Sequence, residues 1–93
     1  MALPIVWSSV AIADRDAVFD YIAADSSNAA ARIDERILNR TDLLVDFPKI
    51  GRSGRLPGTR ELVIPGTPYL IVYRVTPELI LILRILHGAQ HWP

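Results

Sequence analysis

The chain has no cysteine, no long apolar run, no internal repeat and no low-complexity tract, and each absence removes a class of protein. Without cysteine there are neither disulfides nor thiolate metal sites. The longest nearly uncharged stretch, Leu62 to Val75, is interrupted by two prolines and by Arg74. Leu79 to Leu83 is far shorter than the roughly 20 apolar residues of a membrane-spanning helix. Nothing near Met1 resembles a basic segment followed by an apolar core and a small-residue cleavage site, so the expected location is cytoplasmic, with no membrane partner. What is present is a composition 51 % hydrophobic and 22 % charged over 93 residues, which is that of one compact domain with an ordinary core.

The zero net charge conceals a division. Residues 1–46 hold eight acids and four bases, about −4, whereas residues 47–93 hold six bases and two acids, about +4. The second half is the better candidate for an anionic partner, unless the halves neutralise each other across the fold.

Local patterns predict the order βααβββ. Leu3 to Trp7 is rich in β-branched and apolar residues and reads as a strand. Ser8 or Ser9 then caps a helix to about Ala24, whose apolar stripe is Val10, Ala11, Ala17, Val18, Tyr21 and Ile22; Asp14 fits that stripe poorly. Asp25-Ser26-Ser27-Asn28 is rich in capping residues and opens a second helix, Ala29 to about Asp46, with Ala30, Ile33, Ile37 and Leu44 on one side. So short a connection implies an antiparallel helical hairpin. Pro48 to Gly58, with its prolines and glycines, reads as a loop. Strands follow at Thr59–Ile64, Tyr69–Val75 and Leu79–Leu86, the last two joined by Thr76-Pro77-Glu78. The fold class is therefore α+β, with the N-terminal strand and the hairpin packed on an antiparallel sheet.

Pairing Val75 with Leu79 assigns Ile71, Tyr73, Val75, Leu79, Leu81, Leu83 and Ile85 to the face that meets the helices. The opposite face then carries Leu70, Val72, Arg74, Ile80, Ile82, Arg84 and Leu86, which is too apolar to be left in water. One helical hairpin covers one face only. The second face needs another cover, either the Pro48–Gly58 loop or a partner chain that supplies apolar side chains and carboxylates.

The element order resembles a known family, as do Pro48-x-x-Gly51-Arg52, Arg60-Glu61-Leu62, Val72-Tyr73-Arg74-Val75 and Leu86-His87-Gly88-Ala89-Gln90. Together they are similar to the RelE/ParE toxins of type II toxin–antitoxin systems. That resemblance implies a cognate antitoxin partner lying over the sheet or the helical hairpin, and the apolar second face of the sheet makes Leu70, Val72, Arg74, Ile80, Ile82 and Arg84 the expected antitoxin-binding residues. The RelE branch cleaves messenger RNA on the ribosome with sheet cations, but the matching positions here are Glu61, Val63, Leu70 and Gln90. Each lacks the positive charge that would stabilise a phosphorane-like transition state. The resemblance is therefore closer to the ParE branch, whose members bind DNA gyrase without catalysing a reaction of their own. The alternative is a ribosome-dependent endoribonuclease using Arg74, Arg84 and His87.

The remaining candidates are weighed on chemistry alone. His87 and His91 have helical metal-ligand spacing, but His87 ends a strand and no carboxylate completes a set, so no metal and no cofactor are expected. Gly51-Arg52-Ser53-Gly54-Arg55 lacks the ending of a P-loop and reads as a basic loop. Arg52, Arg55 and Arg60 are candidates for contact with an acidic target or a DNA backbone, as against ordinary solvated arginines. Trp92, beyond the last strand, either anchors the tail or offers an aromatic contact to a target.

Overall fold

The computed structural model describes residues 2–93 as β1 (Ile5–Trp7), α1 (Ser9–Ala23), α2 (Ser27–Asp46), β2 (Arg52–Ser53), β3 (Arg60–Val63), β4 (Tyr69–Val75) and β5 (Ile80–His87). Ser8 and Ser26 start the helices: the Ser8 hydroxyl accepts from Ala11 N at 3.0 Å and the Ser26 hydroxyl from Ala29 N at 3.1 Å. Each bond satisfies one of the free amides of a first helical turn, worth about 1 kcal/mol. The second helix thus begins two residues earlier than its apolar stripe suggests. Arg15 locks the hairpin, donating from Nε and Nη2 to Asp34 at 2.7 and 2.8 Å.

That bond holds the Asp34 carboxyl below its ordinary value against the opposing effect of burial. The linked stability is present above pH about 3.9 and is lost as pH falls through the lower folded value.

The sheet order is β1-β5-β4-β3-β2. β1 lies parallel to β5, Ile5 opposite Ile80 and Trp7 opposite Ile82, so the sheet is mixed, while the other pairs are antiparallel. The two-residue β2 was not apparent in the sequence; it is an edge strand inside the glycine-rich loop. No helix among the described residues is long and apolar enough to cross a membrane.

Ala11, Ile37, Leu44, Leu62, Ile64, Ile71, Tyr73, Ile80, Ile82 and Ile85 form the main core between the helices and the sheet. Tyr73 is fully buried, and its hydroxyl accepts from Gly51 N at 2.9 Å. A side chain at position 51 would stand 2.6 Å from that hydroxyl, which is why glycine occupies it. Tyr73→Phe removes the acceptor and leaves the Gly51 amide unpaired, so a loss of about 1–2 kcal/mol is expected in urea denaturation. Burial also pushes the Tyr69 and Tyr73 phenols above their ordinary 10.0. Folded tyrosines keep their protons where the unfolded chain releases them, so stability falls as pH rises past about 10. Tyr73→Phe should blunt that alkaline loss.

The two sheet faces differ from the expected assignment at one end. Thr76 to Leu79 form the β4–β5 turn, closed by Thr76 N to Leu79 O at 2.9 Å, and Val75 therefore pairs with Ile80. Further along, Tyr73 pairs with Ile82 but Val72 pairs with Arg84, which makes Leu83 the extra residue of a β-bulge. Between the turn and the bulge every side chain of β5 lies on the face opposite to the one expected. Ile80 and Ile82 consequently sit in the helix-side core with no exposure, and their assignment to the antitoxin-facing surface is corrected. Beyond the bulge the second slip cancels the first, so Leu86 shares the second face with Leu70 and Val72, as expected.

The chain itself covers that second face. Leu70, Val72 and Leu86 are buried against Leu83 and Trp92. The loop meets the tail where Arg55 Nη1 reaches Gln90 O at 3.4 Å.

Candidate functional site

Across the second face, strand register sets Arg52, Glu61, Val72 and Arg84 in one row. Its two arginines belong to different ion pairs. Glu61 is 3 % exposed and gathers three contacts: Arg52 Nη2 at 3.3 Å, Arg55 N at 3.0 Å and Arg55 Nε at 3.5 Å. At the other end Asp14 of α1 accepts from Arg84 Nε at 2.7 Å, Arg84 Nη2 at 3.0 Å and Ile85 N at 3.0 Å. The carboxylate that fitted the apolar stripe poorly therefore seals the edge of β5 beyond the end of β1. The guanidinium of Arg84 also lies 5.4 Å from the centre of the Trp92 ring. The Trp92 indole nitrogen is buried with no hydrogen-bond partner among the described residues.

Arg74, Arg84 and His87 do not converge. His87 pairs with Tyr69 and Arg74 with Leu81, at opposite ends of β4, a separation of roughly 17 Å along the strand. The His87 Nδ1 accepts from Ala89 N at 3.1 Å, and its ring meets Tyr69 edge-on at 5.8 Å. Among the described residues no three His, Asp or Glu side chains come together as a metal site would require.

Arg52, Arg55 and Arg60 also separate. The first two are tied to Glu61, whereas Arg60 Nη1 donates to Lys49 O at 3.2 Å and to Gly51 O at 2.9 Å, with no carboxylate partner among the described residues. Trp92, another target-contact candidate, is half-buried on the second face.

A further apolar surface, none of whose residues was expected as a contact, lies on the helical hairpin. Leu43 and Phe47 are exposed on α2 and at its end. Leu43 lines a groove of about 360 Å³ with Arg36, Asn39, Arg40, Ile64 and Pro65. Arg40 Nε donates to Val63 O at 3.1 Å, and neither arginine has a carboxylate partner among the described residues. The available signal was that Leu43 is apolar yet lies off the stripe of Ile33, Ile37 and Leu44, while Phe47, on that stripe by spacing, falls just past the end of the helix.

Comparison with known proteins places this architecture. The family described as the ParE toxin of the type II toxin–antitoxin system parDE matches residues 5–92. The chain belongs to the ParE toxin family. As a ParE-family toxin it shares 40 % identity over 87 residues with Y4kP of Sinorhizobium fredii, which carries a toxin designation, covering 94 % of this chain and 90 % of that one. It shares 37 % over 86 residues with the toxin RelE2 of Caulobacter vibrioides, covering 92 % and 96 %. A chain from the chromosomal ParDE system of P. aeruginosa superposes with a TM-score of 0.82 at 29 % identity, covering 92 % of this chain and 96 % of that one. Strand, helical hairpin and mixed sheet are thus the ParE arrangement, and this ParE-family protein is a type II toxin.

Proposed function

We propose that this ParE toxin arrests growth by binding DNA gyrase, without a reaction of its own, and that a cognate antitoxin neutralises it. The observation that carries the reading is the second sheet face. Where the RNA-cleaving branch places cations, this chain has Glu61, Val63, Leu70 and Gln90, and Glu61 and Leu70 are buried. Arg84 is held by Asp14, and Arg74 stands far from His87. A transition state carrying extra negative charge finds no converging donors there. Antitoxin-free protein is expected to inhibit gyrase supercoiling at concentrations that stop growth; full supercoiling at those concentrations would remove the reading. Ribosome-dependent cleavage is the competing reading, favoured by the RelE2 relative. It requires codon-positioned cuts in primer extension on messages from arrested cells.

The antitoxin is assigned to the α2 groove rather than to the sheet face. Leu70 and Val72 are already covered by the chain itself, and Ile80 and Ile82 face the helices. The groove offers apolar walls between Arg36 and Arg40, which suits an amphipathic segment carrying carboxylates. Leu43→Asp should weaken binding of the antitoxin encoded beside this toxin by about 100-fold in calorimetry, as an exposed anchor replaced by a charge does. Unchanged affinity would move the antitoxin elsewhere.

A further inference from the structure

Among the described residues, lysines and arginines without a carboxylate partner lie in two regions of this ParE toxin. Of ten bases, Arg15, Arg52, Arg55 and Arg84 are in ion pairs, which leaves six. Arg32, Arg36 and Arg40 belong to α2. The other three, Lys49, Arg60 and Arg74, gather at the end of the sheet where the β4–β5 turn lies. There a cleft of about 600 Å³ opens between the loop of Ser53 to Thr59 and the turn of Thr76 and Pro77. Lys49 and Arg60 line it, and Arg74 reaches its rim, with Nε 3.8 Å from where a Cβ on Gly58 would stand.

We infer that this cleft is a contact site for the phosphodiester backbone of a nucleic acid. Three observations carry the inference. The charged side chains that line the cleft are both cations, and no carboxylate among the described residues pairs with Lys49, Arg60 or Arg74. Arg60 is oriented in advance by the carbonyls of Lys49 and Gly51, so that less side-chain freedom is lost when its remaining donors meet an oxyanion. The large exposed apolar side chains, including Phe19, Tyr21, Leu43 and Phe47, all lie outside the lining. A protein partner held by apolar anchors would use those surfaces. A cleft with cations at its wall and rim suits repeating phosphates, held without base readout.

The site does not rest on the gyrase reading, because gyrase-bound DNA and ribosomal RNA present the same backbone chemistry. Arg52 and Arg55 are weaker candidates because they share the one buried carboxylate of Glu61, which offsets one of their two charges.

The test uses the full-length toxin with a labelled 20-base-pair DNA duplex, a 20-nucleotide single-stranded RNA and poly-glutamate as probes, over a range of salt concentrations. Three phosphate contacts give a log–log salt slope of about −2.7 for the duplex. Lys49 and Arg74 make no side-chain hydrogen bond or ion pair among the described residues, so K49A/R74A leaves the fold intact. That variant should bind at least about tenfold more weakly at low salt, with the slope reduced to about −1. Arg32→Ala, a neutralisation on the far side of the hairpin, should leave affinity within about twofold. Tighter binding of duplex or of RNA identifies the source of the phosphate, and either result supports the site. No measurable binding at low salt, equal losses in K49A/R74A and Arg32→Ala, or poly-glutamate bound as tightly as either nucleic acid would overturn it.

Discussion

Asp14→Ala should lower the stability of this toxin by about 3 kcal/mol. The carboxylate accepts three hydrogen bonds, two from the Arg84 guanidinium and one from the Ile85 amide. The side chains are 16 % and 26 % exposed, so water only partly replaces what is lost. Truncation leaves Arg84 without its counter-charge and the edge amide of β5 without an acceptor. In a domain of this size the midpoint of thermal unfolding should fall by on the order of 10–20 °C. Asp14→Asn keeps one acceptor for Ile85 N and should cost about half as much. A loss below about 1 kcal/mol for Asp14→Ala would show the pair to be solvated and Arg84 to be free. That result would also reopen Arg84 as a group able to meet RNA, so the experiment bears on function as well as on folding.

The second large effect is at Ile82. Ile82→Ala should cost about 2–5 kcal/mol, because it opens a cavity in a closed core beneath the hairpin. Had Ile82 faced an antitoxin, the same change would leave the free toxin nearly as stable and would appear in antitoxin affinity. The structure requires the reverse: loss of stability in the isolated toxin, with little change in affinity per folded molecule. Leu83→Ala, on the opposite face and only partly buried, should cost less than about 1.5 kcal/mol. If Leu83→Ala were the more damaging, the bulge would be in the wrong place.

What was legible in the residues depended on local physics. Ser8 and Ser26 cap their helices through amides three residues away, and the Tyr69–Val75 strand is marked by its own β-branched and aromatic side chains. Departures at Glu61, Val63, Leu70 and Gln90 were readable for the same reason, since a residue that lacks a charge lacks it in any fold. The large apolar content of β4 and β5 also announced correctly that the second face needs a cover.

Tertiary structure alone decided how those elements meet. The face of Ile80 and Ile82 turned on a four-residue rather than a three-residue turn, and on a single bulged residue, Leu83. Strand side chains alternate, so one residue of slip reverses a face and a second restores it, and both sets were apolar enough for either register. The parallel pairing of β1 with β5 and the Asp14–Arg84 bond join residues more than 60 positions apart, beyond any local pattern. By itself the sequence without cysteine or a spanning run determined a small α+β toxin of the RelE/ParE type. Packing decided which of its cations are already paired, because a charge is available to a partner only where the fold brings it no carboxylate.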